Sequence, residues 1–198
     1  MCIRDSYGTS GNASNTGTFT ISRTCNAPIT YCTPTTENES NTFINDVKFV
    51  STLNDVSNLN SSFNANGYQD WTALPKAIQA QGEGMNVYVD GNYAGRIKAW
   101  VDWNKDGDFD DSGEEVYDST YGTLNTTFGF VIPAATSIGD YRLRIRLGAY
   151  LDYFDEEYYY DNDFSACENF IDDFNYDYVG EAEDYLFTVI ANLSLIHI

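Results

Sequence analysis

The heptapeptide Tyr141-Arg142-Leu143-Arg144-Ile145-Arg146-Leu147 alternates strictly between apolar and charged side chains. In an extended chain, successive side chains point to opposite faces. This segment therefore reads as a strand with Leu143, Ile145 and Leu147 in a core and three arginines on the other face. Further strand patterns follow along the chain: Phe43–Val50, Gly84–Val89, Ile97–Val101, Thr127–Ile132 stopped by Pro133, and Asp184–Ile190. Asn66-Gly67 reads as a turn, and Asp90-Gly91-Asn92 as a hairpin turn. There is no convincing amphipathic helix. Many short strands separated by turns predict an all-β chain, an antiparallel β-sandwich of jelly-roll-like form, as a single main domain.

The two ends stand apart from this pattern. Residues 1–6 and 193–198 can be back-translated as reverse complements of one another, and both resemble translated sequencing-adapter sequence, so they are set aside from fold reasoning. Residues 7–30, rich in Gly, Ser, Asn and Thr, read as the tail of a preceding domain plus a linker, with Thr18–Ser22 its last strand, or else as a disordered leader. Residues 31–192 are left as the main domain. His197, the only histidine, lies in the set-aside end, as does Cys2, which leaves Cys25, Cys32 and Cys167.

The net charge of −20 repels nucleic acid and anionic lipid. No apolar run reaches membrane-spanning length, so neither nucleic acid nor membrane insertion is expected. At 16% aromatic residues, the chain is too rich in core-forming rings for a disordered acidic tail. Few lysines, many Asn, Thr and Tyr, and the cysteines point to a secreted protein.

The strongest chemical signal is Asp102-Trp103-Asn104-Lys105-Asp106-Gly107-Asp108-Phe109-Asp110-Asp111-Ser112-Gly113-Glu114-Glu115. Oxygen-bearing side chains recur at every second position from Asp102 to Asp110, and Gly107 sits where the chain must turn. Calcium takes about 6–8 oxygen ligands, and a loop of this kind supplies them from one short segment. Asp102, Asn104, Asp106, Asp108 and Asp110 are the candidate ligands, with Glu114 or Glu115 as additions. The loop resembles the first half of an EF-hand and then departs, because the twelfth position is Gly113 and the flanks read as strands. A solvated acidic turn is the alternative.

Five segments in order carry a wider resemblance: Tyr31–Pro34, Gly67–Thr72, Ala99–Phe109, Arg142–Arg146 and Gly180-Glu181-Ala182-Glu183-Asp184-Tyr185. Together they resemble the GEVED domain over about residues 31–191, with Ala182 in place of the valine of the name-giving motif. The resemblance implies an extracellular β-sandwich module of large secreted or cell-surface bacterial proteins, which often carry peptidase or adhesive domains and a type IX secretion sorting tail. It implies no enzymatic activity, and it implies that Cys32 pairs with Cys167.

Glu181, Glu183 and Asp184 admit two readings. They complete the calcium shell in place of the missing twelfth-position acid, or they pair with Arg142, Arg144 and Arg146. Catalysis is not expected. The main domain has no histidine for a nucleophile triad or a His-ligated zinc, and paired carboxylates for glycoside hydrolysis arise by chance among so many acids. Trp71, Trp100 and Trp103 read as core or loop anchors. The Tyr/Asp-rich insertion, with Tyr153, Tyr158, Tyr159 and Tyr160, offers a surface for a glycan or a surface protein, or else packs over the sandwich edge. The expected function is a calcium-binding structural or adhesive module, partnered by neighbouring domains of its own chain. A carbohydrate-binding module is the alternative.

Overall fold

The computed structural model describes residues 29–36, 42–50, 52–152, 163–170, 172–173 and 176–192. The chain divides into two compact units, Met1–Thr30 and Tyr31–Ile198, and the elements below belong to the second. The expected strand at Thr18–Ser22, Cys25, both chain ends and the four insertion tyrosines lie outside the described residues.

There is no helix among the described residues. Ten strands follow one another: β1 (Ile44–Val50), β2 (Val56–Asn58), β3 (Tyr68–Asp70), β4 (Ala77–Ala80), β5 (Gly84–Val101), β6 (Glu115–Asp118), β7 (Thr123–Val131), β8 (Gly139–Asp152), β9 (Asp172–Asp173) and β10 (Tyr176–Ile190). They form one continuous sheet that curls, with β2-β1-β5-β8-β10-β3 as its main path. The all-β expectation holds. The sheet is mixed rather than antiparallel throughout, because β3 and β4 run parallel to β10 along one edge. These strands are three and four residues long, too short to announce themselves by alternation.

The curl originates in β5. Its first half, Gly84 to Asp90, pairs with β1 on one side and β7 on the other, and its second half, Arg96 to Val101, pairs with β8. The expected hairpin at Asp90-Gly91-Asn92 is therefore a correction. The chain does not reverse there; it shifts register and continues as one strand. Asn92 explains the bend, since its amide and its Oδ1 both bond the backbone of Phe43, at 3.0 and 2.7 Å, and pull the strand toward the start of β1. At Gly91 a Cβ would meet Leu147 Cδ2 at 2.8 Å, so only glycine lets the bend lie on β8.

The curl brings β1 and β7 across the core from β10. Phe49 meets Tyr185 with ring centroids 5.5 Å apart, and Phe130 meets Phe187 at 6.0 Å. Leu143, Ile145 and Leu147 join this core as the alternation requires. The opposite face of β8 and β10 is buried as well, under the segments 31–36 and 163–170. Two facing glycines, Gly148 and Gly180, make room for this cap. A Cβ on Gly148 would stand 2.6 Å from the Phe164 ring, and one on Gly180 would collide with the Leu147 carbonyl oxygen. Phe164 and Phe170 fill the space edge to face, 5.3 Å between centroids.

Candidate metal centre

The acidic loop leaves the end of β5 at Asp102 and re-enters the sheet at Glu115. Alternation decides which side chains anchor it. Trp103 turns into the main core against Phe130, Tyr141 and Phe187. Phe109 turns into the smaller core under the cap, beside Trp100, Phe164 and Tyr31. The intervening oxygens stay on the loop.

Asp102 and Glu114 brace the two ends, and both are buried. Asp102 accepts the Lys105 amide at 2.6 Å, the Gly107 amide at 3.2 Å and the Tyr31 hydroxyl at 2.6 Å. Glu114 accepts the Trp103 and Asp111 amides. Burial pushes the Glu114 carboxyl above its usual range, against the pull of those two amides, and nearby Asp102 and Asp111 push it the same way. Between the braces, Asn104, Asp106 and Asp108 each accept the amide two residues on, at 3.1, 3.2 and 3.1 Å. These successive turns need left-handed backbone at Lys105 (φ 61°) and Gly107 (φ 101°).

The result gathers one carboxylate oxygen from each of Asp106, Asp108 and Asp111 within 4.8 Å of one another. An all-oxygen set of hard donors on a preformed loop fits calcium, and the Asn104 amide nitrogen bonds both Asp106 and Asp111. Asp111 was not selected by alternation, because it follows Asp110 directly. The doubled acid is the only sequence signal for it. Asp110 instead lines a cleft of about 420 Å³ between the loop and the cap, together with Asp111, Glu115, Asp163 and Glu168. Lys98 is the cation of that cleft, held by Asp163 at 2.6 Å and Glu115 at 2.7 Å. Glu115 thus points along β6 to a lysine and away from the gathered oxygens.

The motif acids are parted by the strand period. Asp184 lies on the cap side, where it accepts Arg142 at 2.6 Å, Arg144 through Nε at 2.7 Å and Nη2 at 2.8 Å, and the Tyr68 hydroxyl at 2.8 Å. Arg144 also reaches the Cys32 carbonyl at 2.7 Å. Among the described residues, Arg146 pairs with no carboxylate. It rests on the Phe170 ring at 4.2 Å, bonds the Ser165 carbonyl, and its Nε has no hydrogen-bond partner. Burial and the neighbouring Arg144 pull its guanidinium down to about 9.

Glu181 and Glu183 follow neither expectation, neither the calcium shell nor the arginines. Both point into the main core on the opposite face of β10, and both are 0% exposed. At that exposure no glycosidic oxygen can reach them, which removes this pair as hydrolytic carboxylates. Cys32 and Cys167 form a disulfide, which fastens the two cap segments to each other over Arg144. Besides Asp111, Tyr31 is the site residue to which the sequence assigned no role of its own, for it acts through contacts distant along the chain.

The family model of the GEVED domain matches residues 96–188, the span from the second half of β5 through most of β10. No curated protein and no solved structure matches the chain.

Proposed function

Since residues 96–188 belong to the GEVED domain family, a family of non-catalytic accessory domains, we propose that this chain is a calcium-stiffened accessory module of an exported protein, with a structural or adhesive role. One observation carries the reading: three carboxylates converge within 4.8 Å on a loop whose two ends are already buried and bonded. Without a cation such carboxylates repel each other at short range, and the turns that hold them leave the fold little freedom to spread them. Asp106, Asp108 and Asp111 would hold the ion, with loop carbonyls and water completing its shell. The ion would supply charge neutralisation and stiffness, not chemistry on a substrate. The disulfide supports export, because such bonds persist in oxidising compartments.

Calorimetric titration of the full chain tests this. Calcium is expected to bind with one saturable site, and magnesium far more weakly. The double variant Asp106→Ala with Asp108→Ala, which touches only exposed side chains, is expected to lose the heat of binding. Equal heats in the variant would sink the assignment of these residues.

A further inference from the structure

Glu181 and Glu183 stand two residues apart on one face of β10, and each of their four oxygens has a partner. Glu181 accepts only amides: Gln69 Nε2 on Oε1 at 2.7 Å and the Ile44 backbone on Oε2 at 3.0 Å, with the Asn64 backbone nearby. That is the environment of an ionised carboxylate. Glu183 differs. Its Oε2 accepts the Tyr185 hydroxyl at 2.7 Å; its Oε1 accepts Trp71 Nε1 at 2.9 Å and lies 3.1 Å from Ser61 Oγ.

The Ser61 contact has a hydrogen count to satisfy. A serine hydroxyl carries one hydrogen, whereas Ser61 Oγ stands before two acceptors, the Ile44 carbonyl at 2.8 Å and Glu183 Oε1 at 3.1 Å. With that hydrogen on the shorter contact, a hydrogen on the carboxyl fills the contact between Glu183 Oε1 and Ser61 Oγ. Among the described residues, no positive charge meets this carboxyl pair. On β10 the titratable neighbours are Glu181 and Tyr185. Across the face, β8 presents Leu143, Ile145 and Leu147, and β1 presents Ile44, Val47 and Phe49. From β2, Asn58 reaches the Tyr185 hydroxyl. Asp46 and Lys48 of β1 pair with each other at 3.6 Å, and Lys48 lies over Tyr88. Asp70, between Gln69 and Trp71, caps the Thr72 amide and lies in the field of Arg142 and Arg144.

We propose that Glu183 carries a proton at neutral pH and donates it to Ser61 Oγ, and that this proton clasps residues 60–71 onto β10 as a pH-sensitive lock of the domain. The relay runs from Glu183 through Ser61 to the Ile44 carbonyl, so one proton joins β10, the 60–71 arm and β1. Electrostatics agree with the geometry. Burial, and then the adjacent Glu181, push Glu183 up to about 8, and burial pushes Glu181 up to about 7. A carboxyl whose folded value is raised stabilises the fold fully below the ordinary carboxyl range. That stability is lost as pH rises through the folded value. In alkali the fold must bury two adjacent anions or release the arm.

Two readouts on the full chain, at constant calcium, test the lock. Difference infrared spectra of wild type against Glu183→Gln at neutral pH should contain the carbonyl stretch of one protonated carboxylic acid. The melting temperature of wild type should fall as pH rises from about 5 to about 8 and level off above, while Glu183→Gln, whose amide still donates to Ser61 and which keeps only the Glu181 contribution, falls less across that window. Absence of the band, or a parallel fall in both proteins, overturns the proposal. If Glu183→Gln does not fold, Ser61→Ala serves instead. Loss of the acceptor is expected to move the midpoint of the carboxyl band to lower pH, and an unmoved midpoint overturns the relay.

Discussion

The Tyr31 hydroxyl donates to Asp102 Oδ2 at 2.6 Å, and so ties the segment that carries Cys32 to the first carboxylate of the acidic loop. Tyr31 also packs on Phe109, 5.5 Å between centroids, and lies under the Arg142 guanidinium at 4.2 Å. Loop, cap and buried arginines therefore share one small core, and what happens to the cap is felt by the loop. Burial, and then the bond to Asp102, hold the Tyr31 phenol well above its usual range, so it remains a donor at any physiological pH.

Tyr31→Phe removes that donor and leaves the ring. A hydrogen bond to a charged group is worth about 1.5–3 kcal/mol, but Asp102 keeps two backbone donors. The expected result is a calcium affinity lowered by about three- to tenfold, read by calorimetric titration, with little change in the melting temperature in chelator.

Replacing Cys32 and Cys167 together by serine opens a bridge that spans 135 residues. Removing a native disulfide costs about 2–5 kcal/mol. Urea unfolding should register that loss. Hydrogen exchange should speed up first at the Phe170 amide, which bonds the Thr35 carbonyl between the two cap segments.

Asp184→Asn leaves Arg142 and Arg144 without their shared anion. Arg144 and Asp184 are both 0% exposed, and breaking a buried pair from one side costs about 3–5 kcal/mol. Urea unfolding at low and high salt should give the same loss, since ions do not reach the pair.

Gly180→Ala should be far more harmful than Gly113→Ala. Both positions have positive φ, 157° and 91°, and strain alone costs about 1–3 kcal/mol. At Gly113 a Cβ meets nothing, whereas at Gly180 it meets the Leu147 carbonyl and the Phe170 ring. The two melting temperatures, compared side by side, check this.

Where a residue's role followed from the period of its own strand, the sequence was informative. The arginine alternation of β8, the core side of Leu143, Ile145 and Leu147, and the alternation of the acidic loop were all visible in it. The parity rule also sets Glu181 and Glu183 apart from Asp184, but it does not say which face looks onto arginines. That depends on β1 and the 60–71 arm, which are more than 100 residues away. The Asp90-Gly91-Asn92 bend has the composition of a hairpin, and only the pairing of its flanks with different strands distinguishes the two. Asp111 was hidden by its neighbour Asp110: both line the cleft, and Asp111 alone also reaches the gathered oxygens. Tyr31 gave no local signal, since its partners Asp102 and Phe109 lie some seventy residues onward.

Whether calcium stiffens the loop is measured by thermal unfolding of the full chain in chelator and then in millimolar calcium. A ligand that binds only the folded state raises stability by mass action, by about 2.7 kcal/mol at a hundredfold excess over its dissociation constant. The melting temperature is expected to climb with calcium, not to climb with magnesium, and to stay flat in Asp106→Ala with Asp108→Ala. An identical melting temperature in chelator and in calcium would contradict this, and would make the Asp102–Glu115 segment a solvated acidic turn.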